Sequence, residues 1–198
     1  SLGRTYTLDA AEIPGGRGDG VPVSSLIELQ NGAKPVAMLT GQPEQHYLLS
    51  GSGGYGFITK LADMVGRVKA GKVVMTVDSG ETVLPPIAVY ASSLINPDCK
   101  IVLATAHNRL LAFPLGEMKI MAKGRGLQLM SLRGNDTLQL TALVSTPDFW
   151  VCSRGKRGAA HRERLRVQDI EGKRGRKGRV LDVSGSLISL SSTQEREA

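Results

Sequence analysis

Four glycines that close short Gly/basic loops, Gly20, Gly71, Gly126 and Gly178, stand 51, 55 and 52 residues apart. After each comes an apolar run: Val21-Pro-Val23, Lys72-Val-Val-Met75, Leu127-Gln-Leu-Met130 and Arg179-Val-Leu181. Two more short runs precede each later loop: Tyr47–Ser50 with Gly56–Thr59, Ile101–Ala104 with Arg109–Phe113, and Phe149–Cys152 with Gly158–His161. The first unit keeps only one such run, Arg4–Leu8. A lone four-stranded sheet cannot bury both faces, so a repeat of about 50 residues with four strands per unit must stack into a propeller-like array. The expected fold is all-β: about four four-stranded antiparallel blades, the first incomplete. The expected units are 1–43, 44–97, 98–146 and 147–190, with a disordered tail at 191–198, which has almost no apolar residue to anchor it.

One segment competes with strand. Leu61, Met64, Val65 and Val68 fall at helical spacing, but Gly66 and Gly71 weaken the stripe and the other units show none, so the expectation is strand and loop. At 41% hydrophobic over 198 residues the chain can bury a core, which excludes a disordered or collagen-like protein. No apolar run approaches the roughly 18 residues of a membrane span. The opening Ser1-Leu2-Gly3-Arg4 has no signal-peptide core and does not begin on Met, so a processed chain or a piece of a longer one is expected. Cys99 and Cys152 stand alone in apolar runs and read as reduced core thiols.

Charge is local. Between Arg154 and Arg179 eleven Lys/Arg meet only Glu163, Asp169 and Glu171, and the rest of the chain is close to neutral. Such asymmetry calls for a polyanionic partner, nucleic acid or anionic lipid. Gly172-Lys-Arg-Gly-Arg-Lys-Gly178 pairs open backbone with cations, the composition that grips a sugar-phosphate backbone without reading bases. The candidate DNA contacts are Lys173, Arg174, Arg176, Lys177 and Arg179 here, with Arg154, Lys156, Arg157, Arg162, Arg164 and Arg166 beside it. Lys123 and Arg125, then Arg67, Lys69 and Lys72, then Arg17, come from the weaker loops.

Other motifs carry less. Gly51-Ser-Gly-Gly-Tyr-Gly56 matches GxGxxG, but strand rather than helix follows it, so it reads as a hairpin turn. Arg17-Gly-Asp19 falls inside a repeat loop and reads as chance. His46, His107 and His161 have no metal-ligand spacing, and no catalytic grouping or metal site is expected. Phe57, Phe113, Phe149, Trp150 and Tyr47 read as core rather than as a stacking platform, which favours duplex over single strands.

The repeats, the Gly/basic box and the strand that follows it resemble the C-terminal β-pinwheel of bacterial type IIA topoisomerase A subunits, over residues 3–190. The gyrase box reads Gln-Arg-Arg-Gly-Gly-Lys-Gly. Arg174, Gly175, Lys177 and Gly178 keep it and Lys173 is conservative; Gly172 and Arg176 depart, and the other three boxes are degenerate. Degenerate boxes look more like the topoisomerase IV branch than the gyrase branch. The resemblance implies a non-catalytic domain of an ATP-dependent isomerase, binding and bending duplex DNA to present a crossover for decatenation and supercoil relaxation in chromosome segregation. ATP and Mg2+ belong by the same resemblance to the full enzyme, not to this chain, which is expected to be monomeric alone. The partners implied are double-stranded DNA and the B subunit, ParE, in an A2B2 enzyme. The implied location is the bacterial cytoplasm at the nucleoid, with peripheral association with the inner membrane open for the full enzyme. A gyrase-type DNA-wrapping domain, a protein-interaction propeller and an anionic-lipid adaptor stay as alternatives.

Overall fold

The computed structural model describes residues 1–192 apart from 17, 156, 157, 183 and 184. Arg17, Lys156, Arg157 and residues 193–198 of the expected tail therefore lie outside the described residues. In chain order the elements are β1 (Arg4–Thr5), α1 (Val23–Leu26), β2 (His46–Ser50), β3 (Tyr55–Lys60), α2 (Leu61–Met64), β4 (Lys72–Val73) and β5 (Ile87–Val89). They continue with α3 (Ala91–Ile95), β6 (Lys100–Thr105), β7 (Arg109–Pro114), β8 (Leu127–Gln128) and β9 (Leu138–Val144). The last are β10 (Asp148–Arg154), β11 (Ala160–Arg166), β12 (Arg179–Val180) and β13 (Ser186–Ser191).

The sheets do not follow the repeats. Their orders are β1-β4, β5-β2-β3-β8, β12-β7-β6-β9 and β11-β10-β13, every pair antiparallel. Each two-residue strand after a Gly loop crosses back to a strand of the preceding unit: β4 joins β1, β8 joins β3, and β12 joins β7. A residue with positive φ stands before each receiving strand and offers its carbonyl to the arriving chain. Val74 N donates to Gly3 O, Leu129 N to Gly54 O, and Leu181 N to Asn108 O. Asn108, at φ 55°, does with a side chain what glycine does in the other two, as Asn tolerates that region best.

The sheets stack face to face. Tyr47, Leu49 and Phe57 of one sheet meet Met64, Val74 and Met75, which lie beside the β1-β4 pair. Its other face gives Leu48 and Ile58 to Ile101, Leu103, Leu111 and Phe113 of the next sheet. Val102, Ala104, Leu110 and Ala112 then meet Phe149, Val151 and Leu187 of the last. Strands of the two middle sheets are thus apolar on both faces, and Leu48, Ile101, Leu103 and Phe113 are fully buried. Each such side chain contributes about 1.5–3 kcal/mol. The last sheet differs: Asp148, Trp150, Cys152 and Arg154 alternate with its buried residues and pair with Arg166, Arg164, Arg162 and Ala160. No sheet among the described residues covers that face.

Several expectations are corrected. Val21-Pro-Val23 is not a strand; one turn of helix begins at Val23, because no hairpin edge is there to receive it and Pro22 has no N–H to give. Leu61–Met64 is a helical turn rather than strand and loop. It ends before Val65 and Val68, which are exposed, so the stripe never becomes a buried face. The last sheet has three strands, and β11 runs Ala160–Arg166 instead of Gly158–His161. Trp150 and Cys152 are half-buried on the outward face, not core, and Cys99 is buried.

Candidate nucleic-acid interface

The loops that carry the cations are held by backbone. Gly71, Gly126 and Gly178 have φ of 73°, 86° and 67°. A Cβ at any of them would strike the receiving strand: the carbonyl oxygens of Thr5, Gly56 and Leu110 respectively. Gly20 has the same conformation, φ 73°, with nothing near it. Glycine is needed at the three crossings for the approach as well as for φ.

Each later loop then lies on the strand that follows the loop before it. Gly124 N donates to Val74 O and Thr76 N to Gly124 O, both at 2.9 Å. One unit on, Gly175 N donates to Leu129 O at 2.8 Å and Ser131 N to Arg176 O at 3.1 Å. The loops over 123–126 and 172–178 are therefore rungs of one ladder.

Their cations differ in freedom. In loop 172–178, Arg174 Nη1 donates to Gln128 O at 2.7 Å and its Nε lies 4.0 Å from Glu117, so it helps to lash the loop down. Lys173, Arg176 and Lys177 are exposed, and among the described residues their side chains meet no acceptor. Arg179 Nη1 donates to Asp169 O at 2.9 Å. In loop 123–126, Lys123 is exposed but Arg125 is not free. Its Nη1 lies 2.6 Å from Asp78 Oδ2 and its Nη2 3.4 Å from Glu81 Oε1. Its guanidinium also stacks 4.1 Å from the Tyr55 ring centroid, a cation–π contact.

The remaining candidates scatter. Arg67 and Lys69 are exposed on the loop that closes on Gly71, while Lys72 Nζ turns in to Asp63 O at 2.6 Å. Arg162, Arg164 and Arg166 share one face of β11 with Arg154 close by on β10. Arg164 pairs with Asp148 at 2.6 Å and Arg166 grips Asp169 through Nε and Nη2 at 3.0 and 3.1 Å. Between this strand and β12 lies a groove of about 420 Å³ lined by Arg166, Asp169 and Arg179.

Two features escape the sequence reasoning. Arg133 is exposed two residues beyond Ser131, which binds loop 172–178, yet it lies outside every Gly/basic box. The acids at Asp78 and Glu81 lie more than 40 residues from Arg125, and no local pattern links them. Among the described residues no three His, Cys, Asp or Glu side chains gather where they could hold a metal ion. No helix there is long and apolar enough to cross a membrane.

Known proteins give this arrangement a place. No family model matches the chain. It is 74% identical over 190 residues to the A subunit of DNA topoisomerase 4 from Neisseria gonorrhoeae, covering 96% of this chain and 25% of that protein. The chain thus spans about a quarter of the length of the curated relatives it matches. The solved structure of the E. coli ParC C-terminal domain superposes with a TM-score of 0.83 at 26% identity, covering 96% of this chain and 78% of that one. The DNA gyrase A C-terminal domain shares the fold, with a TM-score of 0.68 at 19% identity, over 98% of this chain and 64% of that one. A ladder of strand-exchanged sheets with glycine at each crossing, together with identity along nearly all of its length, puts the chain in the family of topoisomerase IV A subunits, in the β-pinwheel that forms the family's C-terminal domain.

Proposed function

We propose that this pinwheel is the non-catalytic, duplex-binding part of a type IIA topoisomerase A subunit, which bends DNA and presents a crossover for strand passage in decatenation and relaxation. The observation that carries the reading is loop 172–178: three exposed cations, Lys173, Arg176 and Lys177, on a backbone turned at Gly175 and Gly178, both at positive φ. Phosphates are contacted there by charge and by N–H groups, without reading bases. Arg154, Arg162, Arg164, Arg166 and Arg179 extend the grip along the last sheet and its neighbour, and Lys123, Arg67 and Lys69 give weaker contacts on earlier loops.

Neutralising about 6–10 phosphates makes affinity fall by roughly 10³–10⁵ between 50 and 200 mM salt. Smooth bending of a 20–30 bp segment costs about 1–6 kcal/mol, so contacts on several units must act together. The transesterification, the ATP and Mg2+ chemistry and the ParE partner are assigned to the rest of an A2B2 enzyme. Two of this chain's four tyrosines have other engagements: Tyr47 donates to Thr40 O at 2.9 Å and Tyr55 carries Arg125.

The test is end-to-end FRET on a duplex of about 40 bp, long enough to report a bend, titrated at low and moderate salt. A FRET rise that fades with salt is expected. Binding by anisotropy without a FRET change would remove the bending role, and no binding at low salt would leave the array as a protein-interaction scaffold.

A further inference from the structure

The turn Asp78–Glu81 and the turn Arg133–Asp136 are the same element in successive units. Glu81 N donates to Asp78 O at 3.0 Å, and Asp136 N to Arg133 O at 3.1 Å. Each turn is then pinned to a hairpin by one backbone bond, Ser52 N to Thr82 O at 2.8 Å and Ala106 N to Thr137 O at 2.9 Å. Their carboxylates point to different places.

Asp136 is turned under its hairpin. It accepts from Thr105 Oγ1 at 2.8 Å, from the backbone N–H groups of His107 and Thr137 at 3.2 and 3.0 Å, and lies 3.1 Å from His107 Nδ1. It is structural, and its turn opens with Arg133. In the earlier unit, Asp78 and Glu81 instead take both ends of the Arg125 guanidinium. Glu81 is held by Asp78 N, which donates to its Oε2 at 3.1 Å. It sits over Gly53, where any Cβ would collide with the carboxylate. The Gly51–Gly56 sequence that mimics a dinucleotide loop thus has an open backbone already covered by an internal anion. Arg125 Nε is buried with no hydrogen-bond partner, and Tyr55 covers its face.

We propose that Asp78 and Glu81 are an internal phosphate mimic that occupies Arg125, so that this arginine takes no DNA phosphate and loop 123–126 is left with Lys123 alone, while loop 172–178, with Arg133 in the place of Asp78, keeps its cations free for DNA. The inference rests on the duplex-binding reading. A guanidinium fork binds carboxylate and phosphate with the same geometry, so two carboxylates already in place compete directly with a DNA phosphate. Asp78 and Glu81 thereby decide which units of the array the duplex grips.

Four proteins test it by duplex anisotropy between about 50 and 200 mM salt, the range where phosphate contacts show most clearly. They are the chain itself, Arg125→Ala, Asp78→Asn/Glu81→Gln, and all three changes together. Arg125→Ala is expected to leave affinity and salt slope unchanged. Asp78→Asn/Glu81→Gln is expected to bind more tightly, with a slope steeper by about 1 from one added phosphate contact. Adding Arg125→Ala to that pair should erase the gain. A loss from Arg125→Ala alone, no gain from the acid changes, or a gain that survives without Arg125 each overturns the proposal. Asp78→Asn alone, at the more exposed acid, serves if melting shows the pair unfolded. If the unaltered chain does not bind duplex, the functional reading fails. The clasp is still decided by whether removing the acids creates binding that depends on Arg125.

Discussion

Loops 123–126 and 172–178 occupy equivalent places, close on equivalent glycines and rest on equivalent strands, yet they offer opposite surfaces. One presents an arginine held between two carboxylates and a tyrosine. The other presents Lys173, Arg176 and Lys177 to solvent. The scaffold sets where a loop stands, and the neighbouring turn sets what the loop can hold. On the proposed reading, degeneracy of the box is only part of what weakens a unit; an arginine present in the sequence can be engaged by carboxylates of its own chain.

The largest effect that tests this comparison is on the scaffold. Gly178→Ala combines positive φ with collision against Leu110 O and the Met130 side chain, for an expected loss of about 2–5 kcal/mol. Gly20→Ala meets open space and should cost no more than about 1–2 kcal/mol. Equal shifts in melting temperature would break the claim that the crossings are closed by backbone contact.

Next comes binding. Lys173→Ala/Arg176→Ala/Lys177→Ala should cut duplex affinity on the order of a hundredfold at low salt and flatten the salt slope by about 3. Arg67→Ala/Lys69→Ala/Lys123→Ala should cost clearly less. Parity between the two sets, read by anisotropy, would show that grip is spread evenly over the units.

The two equivalent acids give a smaller contrast. Asp136→Asn disturbs a buried carboxylate with three donors and should destabilise by about 1.5–3 kcal/mol in denaturant titration. Glu81→Gln, in a partly exposed pair, should cost less than about 1 kcal/mol. The smallest expected effect is Arg133→Ala, a salt slope flatter by about 1 with stability unchanged. No change in slope would remove Arg133 from the interface.

Sequence pattern carries the hairpins well, because β2–β3 and β6–β7 are apolar on both faces and bounded by tight turns. It cannot carry the exchange of strands. Lys72-Val73 reads the same whichever sheet edge receives it, so the units look self-contained until Arg4 is seen opposite Val73. Val21-Pro-Val23 misleads for the converse reason: the strand-like run has no edge to join, and a helical turn begins at its last residue. Within the interface, the exposed cations of loop 172–178 are legible from local composition. The masking of Arg125 is not, since it depends on a turn that is distant in sequence and near in space. The arginines of β11 are visible as charge, but their pairing with Asp148 and Asp169 follows only from the sheet register and the chain turn after it.

Strand exchange also bears on how such a chain comes to be folded. A hairpin such as β6–β7 emerges with its outer edge bare, and the strand that closes it, β12, begins at Arg179, well over a full repeat further on. During synthesis each of the first three sheets must wait for the next unit to leave the ribosome before its edge is satisfied. The growing protein always trails one open, adhesive edge behind the point of synthesis. Completion is a zipper that runs one repeat late, and it favours making the units in order on a single chain over assembling them from separate pieces.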